Sequence, residues 1–450
     1  MSRYSTSLFI FRRDLRIQDN SALNQATNIS DHVLPCFIFD PRQIQHHPYQ
    51  SRPALQFMMQ SIIDLQQAFQ GIGFELALYD GLPVDVVKQV FQQHRIQAVF
   101  VNRDYTPFSR LRDNELVQVC QDLNIGFHVV PDYLLTEPEQ AVKSDGSPYK
   151  VFTAFYNNAR QLPVALPKAL EKPNFILVDG ESSALPQPET LVKGSPGGRK
   201  QALGILRALD KQTDYQALRD YPALDATSRL SAHLKFGTCS VREAYYAIAH
   251  HLGSEHPLLR QLYWRDFFSH IAFHYPHVFG KAFHSQYDRM AWDNNRGYFQ
   301  RWCGGKTGFP IVDAGMRELN ATGFMHNRVR MIVASFLVKD LHISWRWGER
   351  YFAQHLVDYD PSVNNGNWQW AASTGCDAQP YFRIFNPWLQ QQKFDPDCQY
   401  IFRWIPELNG IPTAIIHNWH SKYSAGIYPA PMVDHAHESQ IAKERYKNVA

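Results

Sequence analysis

Across the first ~130 residues, short apolar runs alternate with stretches of helical periodicity, and no other feature of the chain restricts its fold as tightly. Ser7–Phe11, Val33–Phe39, Phe74–Tyr79, Gln97–Val101 and Ile125–Val130 read as strands. Between them Pro53–Gln70, Pro83–His94 and Arg110–Leu123 space their apolar residues three and four apart, as one buried helix face requires. Strand–helix–strand units repeated in this way build a parallel sheet with right-handed crossovers, so an α/β, Rossmann-like domain is expected over residues 1–130. No G-x-G-x-x-G follows the first strand, so the dinucleotide fingerprint is absent.

The pattern then changes. Residues 131–198 are irregular and carry two clusters of turn formers, Lys143–Pro148 and Lys193–Gly198, as a connector would. From 199 to 450 helical spacing dominates, which predicts an all-α second domain. Ser240 and Glu243 fit a capping box that starts a helix at Val241 and runs to His251. Pro310 and Gly323 bracket another helix in the expected order, proline inside the start and glycine past the end. At 450 residues the chain is too long for one core and suits two domains.

Composition narrows the class only a little. A net charge of +3 neither demands nor excludes a nucleic-acid partner, because a local basic patch can act without a large total. The six cysteines are scattered without C-x-x-C or other metal-like spacing, so no metal is expected and the thiols suit a reducing compartment. The N-terminus lacks a signal-peptide apolar stretch and no 18-residue apolar run occurs, so a soluble cytoplasmic protein with no membrane association is expected; a monomer is expected as well. All ten tryptophans lie at or beyond Trp264. A Trp-rich core explains that bias, and so does a flat aromatic ligand or electron transfer between rings.

Five segments suggest chemistry, and one of them is set aside. Asp225–Ser231 offers hydroxyls and backbone N–H groups that suit a phosphate at a helix start, although a solvated Ser/Thr turn is the commoner use. Gly304–Gly308 resembles a phosphate loop, but Gln300 stands where that motif needs glycine, and a nucleoside triphosphate site is rejected. His326–Met331 opens a helical pattern that continues to Asp340, with Asn327, Arg330 and Met331 on one face. A buried arginine there needs a partner, which Asp358 or Asp360 could supply. The others are Asn364–Ser373, with three asparagines beside a W-x-W, and Gln261–Phe268, where a large aromatic and a cation share a helix.

Together these segments resemble the photolyase/cryptochrome family, along nearly the whole chain. The resemblance begins at Phe11–Arg16 with Asp19-Asn20 and continues through Tyr149–Thr153, Thr227–Ser231, Trp264–Phe267, Lys306–Gly308 and His326–Met331. It extends through Asn364–Ser373 and Pro380–Pro387 to Tyr428-Pro429. It implies an antenna domain followed by a helical domain that binds FAD, active in its reduced form. By position, Tyr215, Thr227, Ser228, Arg229, Leu230 and Ser231 resemble FAD phosphate and neighbouring ligands. Arg265, Asn327, Arg330, Asp358, Asp360 and Asn364 resemble residues lining the flavin and adenine, with Asp358 paired to Arg330 and Asn364 beside flavin N5.

The activity implied is light-driven repair of UV-damaged DNA, in which an electron from the flavin splits a cyclobutane pyrimidine dimer flipped out of the stack. Gln261, Trp264, Asn327, Met331 and Trp370 resemble the lesion-contacting set, and Arg219, Arg265, Arg328, Arg383 and Lys393 the phosphate-contacting one. Trp368, Trp345 and Trp292 match an electron relay. Two positions depart from the family's pattern: Gln261 replaces a carboxylate, and Phe324 replaces a tryptophan. Asn327 and Met331 replace histidines of the (6-4) branch, while His326 is expected about 100° away on the helix. A second chromophore, deazaflavin or methenyltetrahydrofolate, is also implied; Asp104 and Lys235 favour the former, and Phe108 and Ser109 replace the folate type's Asn-Glu pair. A blue-light receptor without repair is the alternative, opposed by the short stretch after Tyr428-Pro429.

Overall fold

The computed structural model describes residues 3–45, 47–176, 194–423 and 426–449; residues 177–193, including Lys193 of the second turn cluster, lie outside the described residues. The chain packs into two compact units. The first comprises Met1–Leu191, Ser195–Asp210 and Ser228–His274, and the second Val192–Gly194, Lys211–Thr227 and Tyr275–Ala450.

In the first unit five strands, β1 (Tyr4–Phe11), β2 (Ser30–Phe39), β3 (Ala77–Asp80), β4 (Ala98–Asn102) and β5 (Gly126–Val130), form one sheet in the order β3-β2-β1-β4-β5. Every pairing is parallel, with Leu8 opposite both Leu34 and Val99. Central strands covered on both faces must be apolar throughout, and Leu8, Phe9, Ile10 and Phe11 are all buried. The strand order reverses between β1 and β4, the place where open α/β sheets bind ligands.

One helix between β1 and β2 escapes sequence reading. Ser21–Ile29 is short and weakly apolar, but Asn20 caps it by accepting from Leu23 N at 3.2 Å. The stretch read as an irregular connector contains a further helix, Phe152–Ala159, whose Phe152, Phe155 and Ala159 are buried. Two turns of helix lay within a segment whose turn formers dominated the pattern.

The early Arg-Asp signature is structural. Asp14 accepts from Arg12 N and Asn102 Nδ2, and Arg16 pairs with buried Asp132 at 2.6 Å, where Arg242 adds a second guanidinium at 2.7 Å. Burial alone would raise the Asp132 carboxyl; the two arginines outweigh it and hold it down at about 2.

The second unit is helical. Its core gathers Trp302, Trp345, Trp368, Trp388 and Trp419 with aliphatic residues of the Pro310–Thr322 and Asn327–Ser335 helices. The capping box at Ser240 and the left-handed Gly323 closing Pro310–Thr322 both form as expected. The Gly304–Gly308 loop is tied to its own helix: Asp313 accepts from Thr307 N, Thr307 Oγ1 and Gly308 N at 2.7–3.0 Å. Those donors are spent on a carboxylate, in agreement with rejection of a triphosphate site. Gly308 needs its positive φ, and a Cβ there would lie 2.3 Å from Ala430 O.

Candidate functional site

The helix Pro361–Ala371 is the spine of the site in the second unit. Asp360 caps it, accepting from Val363 N at 3.0 Å, and Pro361 occupies the first turn. Asp360, expected against the cofactor, therefore has at least this structural task. One turn in, Asn364 is 8% exposed and donates Nδ2 to Glu349 O at 3.1 Å. One Nδ2 hydrogen is committed there, which leaves the carboxamide oxygen and the second N–H hydrogen to meet a partner. Asn365 donates to Val278 O and to Glu349 Oε1, and Asn367 caps back onto Val363 O at the surface, so only the first of the three asparagines points to function.

Glu349 was invisible in the sequence. It is 6% exposed, and burial pushes its carboxyl up to about 7 despite the Asn365 hydrogen bond, which lowers it. A lone Glu on a helix of ordinary pattern gives no signal; its burial comes from the packing of Trp345–His355 against Pro361–Ala371.

Trp368 is buried on the same helix, with Phe352 at 4.9 Å and Trp302 at 6.3 Å as ring neighbours. Trp345 is buried, and half-buried Trp292 has the Tyr446 ring at 6.4 Å. Trp370 is half-buried.

The expected partnership of Arg330 is present: its two terminal nitrogens meet Asp358 at 3.2 and 3.0 Å while Nε donates to Met325 O. Of the two carboxylates offered by sequence, Asp358 makes the pair. Asn327 and Met331 share a face, with Nδ2 3.9 Å from the thioether sulfur. His326 is not a helical residue displaced by 100°. It is the N-cap, its Nδ1 accepting from Arg328 N, and it is 4% exposed. The helix itself ends at Ser335 and passes into a π-helical turn, Phe336–Asp340.

Three of the second unit's basic candidates lie over aromatic rings. Arg328 lies over Phe394 at 4.4 Å and pairs with Asp220 at 2.7 Å; Lys393 lies over the same ring at 5.3 Å. Arg219 covers Tyr215 at 5.6 Å, and Arg383 and Lys393 are exposed. Phe394, unmarked in the sequence, supports two of the cations.

In the first unit, Gln261, Trp264 and Arg265 share the helix Pro257–His274. Gln261 is half-buried, with Nε2 3.5 Å from Pro257 O. Arg265 lies 3.5 Å over Tyr133, donates to its carbonyl at 2.9 Å and meets Asp266 at 3.3 Å. Trp264 stacks on Phe152. Leu230 precedes the helix Ser231–Phe236 and is buried, while Arg229 is exposed with φ 53°. Thr227 and Ser228 are half-buried, Ser231 is exposed, and among the described residues none of their hydroxyls takes a hydrogen-bond partner. At the sheet's switch point a cleft is lined by Arg12, Arg13, Asp14, Asn102, Arg103, Asp104, Asp132 and Tyr133. Arg13 there pairs with Asp104 at 3.2 Å and donates to Lys235 O, joining the two antenna candidates. Phe108 lies under Arg42 at 5.2 Å, and Ser109 is buried against Thr106.

Two family models match the sequence: "DNA photolyase" over residues 7–174 and "FAD binding domain of DNA photolyase" over residues 258–448. A deoxyribodipyrimidine photo-lyase of Alkalihalophilus pseudofirmus is 38% identical over 468 residues, covering 97% of each chain. The crystal structure of an archaeal photolyase from Sulfolobus tokodaii, described with two FAD molecules, superposes with a TM-score of 0.90 at 43% identity over 99% of this chain and 100% of that one. A cryptochrome from Synechocystis superposes equally well, at 29% identity over 99% and 100%.

Proposed function

The chain belongs to the DNA photolyase family, and from that premise we propose that it is a light-dependent enzyme that splits cyclobutane pyrimidine dimers in UV-damaged DNA. The observation that carries this reading is 38% identity to a deoxyribodipyrimidine photo-lyase across 97% of both chains. The receptor alternative draws on a more distant likeness, 29% against 43% among the structures.

The chain binds FAD through the matched domain, and the donor set suits it. The hydroxyls of Thr227, Ser228 and Ser231 suit phosphate oxygens, and the Arg330–Asp358 pair supplies fixed charge. Bound FAD, in its reduced form, supplies the light-excited electron for the dimer. Asn364 would offer its oxygen as acceptor to a flavin N5 that carries hydrogen, which favours the reduced form, and an amide has no proton to lose near neutral pH. Asn327, Met331 and Trp370 of the second unit are proposed as lesion contacts, and so, separately, are Gln261 and Trp264 of the first. Arg219, Arg328, Arg383 and Lys393 would meet phosphates, which makes binding salt-sensitive. Trp368, Trp345 and Trp292 would carry electrons inward when oxidised flavin must be reduced.

A second chromophore is proposed for the first unit. The Arg13–Asp104 pair and Lys235 favour a deazaflavin-type group over methenyltetrahydrofolate. No described helix is long and apolar enough to cross a membrane; monomeric action in the cytoplasm completes the proposal.

The test is photoreactivation. UV-irradiated plasmid is incubated with the purified protein under blue light and in darkness, and surviving dimers are counted. Loss of dimers only under light is expected; equal counts would contradict the repair reading and favour the receptor.

A further inference from the structure

Phe152 lies flat against Trp264, with ring centroids 3.6 Å apart and planes 8° from parallel. Aromatic pairs left to themselves favour offset or edge-on packing, so this full overlap is imposed by the rings' surroundings. Phe267 at 5.7 Å and Phe268 at 5.5 Å bound the indole from its own helix. Phe152 is held by Phe267 edge-on at 5.7 Å, by Tyr156 stacked at 5.8 Å and by the Arg260 guanidinium at 5.2 Å. Phe152 is 1% exposed, whereas Trp264 is half-buried. One face of the indole is thus sealed by protein while part of the ring meets solvent.

We propose that Phe152 is a positioning residue for lesion recognition, fixing the Trp264 indole in the orientation that presents its uncovered surface to the flipped dimer. The inference rests on the reading of Trp264 as a wall of the lesion site. A partly exposed indole without that backing would sample several rotamers and lose that freedom on binding, which weakens the complex. The backing ring comes from the Phe152–Ala159 helix, so the segment between the two expected domains becomes part of the recognition apparatus. Leucine would fill much of the same volume but offers no flat face to hold the indole.

Dark binding to paired oligonucleotides, with and without one cyclobutane thymine dimer, tests this. Wild type, Phe152→Leu, Phe152→Tyr, Trp264→Ala and the Phe152→Leu/Trp264→Ala double variant are compared. Phe152→Leu should lose roughly five- to tenfold in dimer affinity, with undamaged-DNA affinity and light-driven repair per bound dimer unchanged. Phe152→Tyr, which keeps the flat face, should stay close to wild type. In the Trp264→Ala background the leucine change should add nothing. A lowered melting temperature with dimer preference intact would overturn the proposal, as would an equal loss in the Trp264→Ala background. Absence of dimer preference in the wild type would overturn the repair reading itself, a result distinct from failure of the positioning role alone.

Discussion

Glu349 is a buried carboxyl whose titration should show in stability. Its pKa is raised by burial to about 7, above the ordinary carboxyl value it takes when unfolded. The folded state therefore holds the extra proton, and stability falls as pH rises through the window from about 4.5 to about 7, then levels. Glu349→Gln keeps an acceptor for Asn365 and removes the charge. It should flatten that decline by about 1–3 kcal/mol, read from denaturant midpoints at pH 5 and pH 8. An unchanged pH profile would place the ionised form in the fold. Asp266, also raised to about 7 by burial, titrates over the same window, and its share remains in the variant. At the lesion, Gln261→Ala should reduce repair yield more than flavin content, since Gln261 lies one turn from Trp264 on the same helix. Identical repair per bound lesion would make Gln261 a packing residue. Arg330 stood out in the sequence as a cation in an apolar pattern that needs a carboxylate, the family resemblance singled out Asp358 from the two on offer, and that pair is present. Sequence reading misplaced His326, because cap and first helical residue differ only in backbone angle, and it missed Glu349 and Phe152, whose roles arise from contacts distant along the chain.

Two helices, Trp345–His355 and Pro361–Ala371, owe their close approach to Gly348. A Cβ at that position would lie 2.1 Å from the Trp368 ring, so Gly348→Ala must displace the indole or part the helices. The variant should lose about 1–3 kcal/mol of stability and slow the photoreduction of oxidised FAD, measured by flavin absorbance under blue light with a thiol reductant. Full retention of both would show that Trp368 can move freely. At this scale legibility followed local signals. The capping box at Ser240 and the Pro310 and Gly323 punctuation marked helices that form where expected. Ser21–Ile29 and Phe152–Ala159 were overlooked because each is short and is stabilised mainly by burial rather than by pattern. The central strands β1, β2 and β4 were legible because a strand buried on both faces cannot conceal its apolar run.

For the whole molecule, fold and family were both legible, since many separate motifs occur in one order along the chain. The sequence could not show how packing divides it: Ser228–His274 joins the sheet-bearing unit rather than the later helices, a grouping that depends on tertiary contacts alone. The relay is a property of this scale. Trp292→Phe should slow photoreduction of oxidised FAD while leaving repair by chemically pre-reduced enzyme at the wild-type level, and unchanged photoreduction would remove Trp292 from the path. Lesion choice is the sharpest consequence of the proposed site. Asn327 and Met331 do not titrate usefully and His326 turns Nδ1 to its helix cap, so the two side chains that stand where the (6-4) branch places histidines cannot supply the proton transfer that (6-4) chemistry needs. The most direct measurement illuminates pre-reduced enzyme with defined oligonucleotides carrying either one cyclobutane dimer or one (6-4) product. Restoration of the dimer strand alone, and only under light, is expected; an unrepaired dimer strand, or repair of the (6-4) strand, would contradict the assignment.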